Sequence, residues 1–325
     1  MMRFSVLAGM TASVLVLFSS SPSAQDAYPA RLIRLIVPSS PGGGTDAAAR
    51  HIAPKLSELL GQQVVVDYRA GAAGMVGTEY VAKATPDGYT LLMGQSTMTI
   101  APSTAKHIRI DPLKDLSPVS MVVIVPQMLT AHTSLPPKTV PELIAFARAR
   151  PGQLDYAAGG YGGNPHMSME LFLSMADIKV TYVPFKSGNG GILETLSGRI
   201  PLLMGSVLVA LPHVRSKRLH VYGITSAKRS SGVPEFPTLA EAGVPGYEAV
   251  QWFGVMAPAA TPREITLRLH RDLLQVIRED EIKKRFIADG GEPSVSRTPE
   301  EFAGVIRLEL AKWAKVARAA NIERQ

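Results

Sequence analysis

Short apolar runs rich in β-branched residues alternate along this chain with longer stretches in which apolar positions recur every three or four residues. Leu32 to Val37 reads as a strand, Pro38 to Gly44 as a loop and Thr45 to Leu60 as a helix. In that helix Ile52, Leu56, Leu59 and Leu60 share one face while Arg50 and Glu58 point elsewhere, and Gly61 supplies a left-handed end cap. Val64 to Asp67 is the next strand, a helix runs from near Gly74 to Lys83, and Tyr89 to Met93 is a third strand. This order predicts a parallel sheet covered by helices. The middle repeats the texture. Helices are expected at Val140 to Ala149, His166 to Met175 and Gly191 to Ser197, and strands at Asp155 to Ala158, Val180 to Val183 and Val221 to Thr225. After Gln251-Trp252-Phe253 the chain ends in helical segments at Pro262 to Arg278, Asp280 to Ala288 and Pro299 to Ala320.

The first 24 residues break this pattern. Arg3 precedes a charge-free apolar run of 13 residues, Val6 to Phe18, and the small-residue tract Ser19 to Ala24 follows. That is the layout of a secretory signal cleaved near Ala24. The run is too short for a membrane anchor, which needs about 20 apolar residues. A mature chain outside the cytoplasm is expected, away from NAD(P)H and ATP, which disfavours cofactor-dependent enzymes. About 300 residues remain, enough for two lobes. A lobe built from both chain ends (25–123 with 252–325) and another from the middle (124–251) is the economical division. The chain has no cysteine, hence no disulfide framework and no thiolate metal site. The 34 basic residues exceed the 27 acidic ones by 7, but they are scattered and aromatics are only 6 %, so nucleic acid is not an expected partner. A modest positive field suits capture of small anions.

Three loops follow expected strands and have binding character. In Pro41-Gly42-Gly43-Gly44-Thr45-Asp46 the bare backbone can approach a ligand, and the helix after it presents free N–H groups and a positive dipole end. The run formally fits a dinucleotide fingerprint with Asp67 as the ribose-binding acid, a reading that export disfavours. Asp46 would repel an anion at close range, so it either accepts from a ligand donor or fixes the loop. Gly94-Gln95-Ser96-Thr97 ends in hydroxyls, and Ala158-Gly159-Gly160-Tyr161-Gly162-Gly163-Asn164-Pro165-His166 opens a helix. His166 either bonds its own turn or contacts ligand; no other histidine or carboxylate stands at metal spacing from it, so neither metal nor cofactor is expected. Gly94-Gln95-Ser96-Thr97-Met98 lacks the last glycine of a nucleophile elbow. Lys186 can pair an anion, and Trp252 beside Phe253 reads as a packed chain crossing.

These loops, in this order, resemble the Bug-type substrate-binding proteins of tripartite tricarboxylate transporters. The likeness runs from about Tyr28 to the C-terminus. It includes Thr85-Pro86-Asp87-Gly88-Tyr89-Thr90, Asp111-Pro112-Leu113-Lys114-Asp115-Leu116, Val183-Pro184-Phe185-Lys186, Leu211-Pro212-His213-Val214, Thr225-Ser226-Ala227-Lys228-Arg229 and Pro237-Thr238-Leu239-Ala240-Glu241-Ala242-Gly243. The resemblance implies a type II periplasmic-binding-protein fold: two α/β lobes, two crossover strands and a ligand cleft between them. It implies a non-catalytic periplasmic receptor for a small carboxylate that serves a membrane permease, expected as a monomer. By position Gly42, Gly43, Thr45, Asp46, Gln95, Ser96 and Thr97 would meet ligand from the first lobe, and Gly160, Tyr161, Asn164, His166 and Lys186 from the second. The chain departs from the family at Ser39, where an aromatic is usual, and at Pro201 and Gly205, where aspartates are common. Loss of an aspartate at the cleft's distal end leaves that end apolar or open, which disfavours amino-acid ligands and leaves aromatic carboxylates and plain dicarboxylates as candidates. A sensor passing its ligand state to a membrane kinase would share this fold. An exported hydrolase or isomerase would have to use Asp46, His166 and Lys186.

Overall fold

The computed structural model describes residues 28–185 and 188–324. The expected signal at 1–24 and Lys186 with Ser187 therefore lie outside the described residues. The chain begins with β1 (Ile33–Val37), α1 (Gly44–Leu60), β2 (Val64–Tyr68), α2 (Met75–Ala82), β3 (Thr90–Gln95) and α3 (Thr97–Thr104). A long strand follows, β4 (Leu116–His132), then α4 (Val140–Arg148), β5 (Asp155–Gly159), α5 (Asn164–Ala176), β6 (Thr181–Phe185) and α6 (Gly188–Leu196). Next come β7 (Leu202–Ser206), α7 (Val207–Arg215), β8 (Leu219–Ile224), the short α8 (Leu239–Ala242) and β9 (Val250–Pro258). The chain closes with α9 (Arg263–Arg278), α10 (Asp280–Ala288), β10 (Glu292–Pro293) and α11 (Pro299–Ala319).

Local chemistry explains these boundaries. Gly61 ends α1 at φ +67°, its N–H bonded to the Ser57 carbonyl. Thr139 and Thr298 cap α4 and α11 by accepting from the Glu142 and Glu301 amides, and a proline stands in the first turn of each helix. Alternation of buried and exposed positions has the helical period where the sequence predicts it, with Ile52, Leu56 and Leu60 buried and Leu59 half-buried.

The expected parallel pairing holds in each half. Strand β1 runs parallel to β2 and β3, and β5 runs parallel to β6 and β7. The two sets are joined by antiparallel strands. From Leu116 to Pro126, β4 pairs with β9; from Gln127 to Ala131 it pairs with β7, and from Met128 to His132 with β8. Thus β4 changes sheets between Pro126 and Gln127. Pro126 has no N–H to give and stands at the end of a ladder, a position a strand proline tolerates. The chain returns beside this point: Thr225 donates its N–H to the Gln127 carbonyl, and Ala249 donates to the carbonyl of Thr225.

Each half has its own core. Leu35, Val37, Leu56, Leu91, Val255, Leu269 and Leu273 pack in one; Leu129, Tyr156, Phe172, Met204, Tyr222 and Tyr247 pack in the other. The second core also takes Ile100 from α3 and Trp313 and Val316 from α11. Burying Ile100 and Val316 contributes about 1.5–3 kcal/mol each, so the last helix ties the halves together on one side. Buried Glu309 reinforces the tie by accepting from Trp252 Nε1, Trp313 Nε1 and Thr99 Oγ1 at 3.3, 3.0 and 3.3 Å, and from Lys312 Nζ at 2.6 Å. Among the described residues no helix is long and apolar enough to cross a membrane.

Candidate functional site

Two loops, one in each half, are built to the same plan. After β1, Gly42 adopts φ +88° and its amide donates to Asp46 Oδ2 at 2.8 Å, four residues on. After β5, Gly162 adopts φ +64° and its amide donates to His166 Nδ1 at 2.9 Å, again four residues on. An L side chain would be strained at either φ. Each helix then starts from an extended glycine, Gly43 before α1 and Gly163 before α5, with no side-chain cap. An uncapped start leaves first-turn N–H groups and the positive end of the helix dipole unanswered, the local chemistry of an anion cradle.

The two anchors differ in charge. Burial alone would raise the Asp46 carboxyl, but the Gly42 amide, the Tyr68 hydroxyl at 2.7 Å and the Arg50 guanidinium at 2.8 Å outweigh it and hold the group below the usual carboxylate range. With its oxygens engaged by these three donors, Asp46 fixes the loop; of the two roles its sequence left open, this is the one the contacts display. His166 is 1 % exposed, and burial pushes its imidazole down to about 4. Geometry agrees, because a ring nitrogen that accepts from the Gly162 N–H cannot carry a proton. The remaining N–H, on Nε2, faces Glu170 Oε1 at 3.7 Å, too far for a hydrogen bond. The ring stacks on Tyr182 at 3.9 Å and 17°. His166 is thus a neutral brace with no free base position.

Several of the remaining predicted residues gather about β9. Thr45 Oγ1 donates to Gln95 Oε1 at 2.7 Å, which links the first loop to the end of β3. Gln95 pairs with Phe253, and a Cβ on Gly44 would lie 3.0 Å from the Phe253 ring. Ser96 donates its N–H to the Trp252 carbonyl at 3.0 Å, and Thr97 starts α3 with its hydroxyl 3.4 Å from the Ala73 carbonyl. From the other half, Asn164 Nδ2 donates to the Val250 carbonyl at 3.4 Å. Val250 and Trp252 are two residues apart on one strand, about 7 Å. The starts of α3 and α5 are therefore brought to neighbouring carbonyls of a single crossover strand. Gly162 also abuts α3, its carbonyl 3.5 Å from Thr104 Oγ1.

Four predicted residues stand apart from this convergence. Ser39 is half-buried in the first loop, its hydroxyl without a partner among the described residues. Gly160 turns at φ +70° and donates its N–H to the Phe185 carbonyl. Tyr161 accepts from the Glu323 amide at 3.0 Å, so it meets the C-terminal tail. Gly205 is buried in β7 opposite Met128. Trp252 and Phe253 are 1 % and 2 % exposed, packed in the chain crossing. Two groups escaped the sequence reading: the Arg50–Tyr68 pair behind Asp46, and Gln127 at the sheet change. A polar residue beside a proline within the otherwise apolar run from Met121 to Leu129 was the available signal for Gln127. Among the described residues no three histidine, aspartate or glutamate side chains cluster as metal ligands would.

Comparison with known proteins places this geometry. Residues 48–322 match the family described as tripartite tricarboxylate transporter family receptor. Protein BugT of Bordetella pertussis is 38 % identical over 301 residues, covering 92 % of this chain and 92 % of the relative. Among solved structures, Rpa4515 of R. palustris with adipate aligns with TM-score 0.76 and 35 % identity over 92 % of this chain and 100 % of that one. MatC of Rhodopseudomonas palustris with bound malate aligns with TM-score 0.72 and 28 % identity over 89 % and 99 %. The expected fold, a type II periplasmic-binding-protein arrangement, is the one these neighbours share. Matching the family from residue 48 to residue 322, the chain belongs to the tripartite tricarboxylate transporter family of receptors, periplasmic solute-binding proteins and not enzymes.

Proposed function

We propose that this receptor captures a small organic carboxylate between its two glycine loops in the periplasm and delivers it to the membrane permease of a tripartite tricarboxylate-type transporter. The observation that carries the reading is the duplicated loop: an uncapped helix start braced at the same spacing in each half, with α3 and α5 both tied to β9. A carboxylate bridging these starts would gain charge-assisted hydrogen bonds of about 1.5–3 kcal/mol each from backbone N–H groups. The helix dipoles would add about 0.3–1 kcal/mol apiece. The relatives crystallised with adipate and malate support the same ligand class. In this reading Gly42, Gly43, Thr45, Asp46, Gln95, Ser96 and Thr97 form the first wall and Asn164 and His166 the second, with Asp46 and His166 acting through the backbone they brace; Ser39, Gly160, Tyr161 and Gly205 flank the convergence.

Residues 25–123 with 252–325 and residues 124–251 are the moving units, after removal of 1–24 on export, except that the end of α11 from Trp313, packed in the second core, moves with 124–251. They turn about the sheet change at Pro126–Gln127 and the return at Ala249–Val250. Contacts made only when both units touch ligand favour the closed state in proportion to the difference in affinity. The test is thermal unfolding of the mature protein against a panel of mono-, di- and tricarboxylates. Ligand at 100 times its Kd stabilises by about 2.7 kcal/mol, a rise of roughly 5–10 °C for a chain of this size. A flat response across the panel would refute capture of a carboxylate.

A further inference from the structure

Gln127 is 2 % exposed and occupies the point where β4 passes from one sheet to the other. The orientation of its carboxamide follows from its neighbours. The Val250 carbonyl can only accept, so Asn164 presents Nδ2 to it and leaves Oδ1 for Gln127. Gln127 must then donate with Nε2, at 3.1 Å, which turns Oε1 away as the remaining atom. Gln127 Oε1 is buried without a hydrogen-bond partner among the described residues. So is Ser96 Oγ, on the other side of the same strand segment. One unsatisfied polar atom from each half thus flanks Val250–Trp252, where the two helix starts converge.

The two atoms are not equivalent. A serine hydroxyl donates or accepts, so Ser96 tolerates either kind of ligand group. Gln127 Nε2 gives one hydrogen to Asn164 Oδ1 and has a second to give, but the atom left without any partner is Oε1, which can only accept. A carboxylate oxygen offers it nothing, whereas a hydroxyl satisfies it. We propose that Gln127 is a specificity-determining residue, its Oε1 accepting a hydrogen bond from a hydroxyl group on the bound carboxylate. The receptor then prefers hydroxycarboxylates to their unhydroxylated counterparts, because the latter leave a buried acceptor unpaired. This rests on the carboxylate-receptor reading above and extends it to the ligand's second functional group.

Isothermal titration with matched pairs tests the assignment: malate against succinate, 3-hydroxyadipate against adipate, and mandelate against phenylacetate. The wild-type chain is expected to bind the hydroxylated member of a pair at least about tenfold more tightly. Gln127→Met keeps the side-chain length and removes the acceptor together with the donor to Asn164 Oδ1; whatever loss both members share, it should bring their affinities within about threefold of each other. A merely structural Gln127 would weaken both members together and leave their ratio unchanged, and that outcome overturns the proposal. So does a wild-type ratio near one in every pair that binds, a result that needs no folded variant and leaves the receptor reading intact. Failure of all six acids to bind overturns both.

Discussion

His166 ties the second glycine loop to the pH of the surroundings with a sign that can be worked out. Its imidazole titrates near 6.5 when unfolded and at about 4 when folded, because burial disfavours the charged form. Above pH 6.5 both states are neutral and the residue has no pH-dependent effect. Between pH 6.5 and 4 the unfolded chain takes up a proton that the folded chain refuses, so stability falls with pH; below 4 both are protonated and the loss levels off. The gap of about 2.5 pH units corresponds to about 3 kcal/mol, with a slope near 1.4 kcal/mol per pH unit in mid-range. Glu170, which faces His166 with Tyr156, Tyr161 and Tyr182, is itself raised by burial, and its contribution has the opposite sign. A difference measurement removes it. In His166→Asn a side-chain oxygen can still receive the Gly162 amide, as Asp46 receives that of Gly42, but nothing titrates. Loss of the Tyr182 stack should cost the variant about 0.5–1.5 kcal/mol at pH 7. Urea unfolding from pH 7.5 to 3.5 should then show the wild type losing about 3 kcal/mol more than the variant as pH falls. Parallel curves would refute the account of His166 as a buried neutral brace.

Other consequences concern the first loop and the seam. Asp46→Ala releases the Gly42 amide and should weaken carboxylate binding about tenfold, the loss of one hydrogen bond to a charged group; Asp46→Asn keeps an acceptor and should bind at least as well as wild type. Equal calorimetric affinities for Asp46→Ala and wild type would rule out the brace. Gly162→Ala places a Cβ 2.7 Å from that of Thr104 at φ +64° and should lower unfolding free energy by roughly 2–4 kcal/mol in urea melts. Trp252 receives the Ser96 amide on its carbonyl and gives its indole N–H to Glu309, so ligand at the start of α3 should alter its emission. The signal should persist in Trp313→Phe, which leaves Trp252 as the sole tryptophan; a silent titration with a carboxylate that raises the melting temperature would disprove that coupling.

Much of the local structure was legible along the chain. Periodicity marked α1, α5, α9 and α11, Gly61 marked the end of α1, and both glycine loops were recognisable between a strand and a helix. Strand β4 was not. Its 17 residues are apolar on both faces and interrupted by Pro118 and Pro126, so they show neither clean alternation nor an uninterrupted run. The Asp46 brace was half visible: Arg50 stands one turn on, but Tyr68 comes from β2 and reaches Asp46 only because β2 lies beside β1.

Residue order alone therefore determined most of the longer helices, the parallel strands of the first half and which loops expose backbone amides, since those depend on side-chain chemistry within a few neighbours, but not β4, β7, α3 or α7. Folding in three dimensions decided that Ser96 and Asn164 share one strand, that Gln127 retains a buried acceptor beside them, and that Trp313 enters the core of the other half. The contacts behind these relations join residues 37 (Gln127–Asn164), 86 (Asn164–Val250) and 156 (Ser96–Trp252) positions apart, and they are set by sheet pairing and by where buried surface can be covered, which no local window of sequence contains.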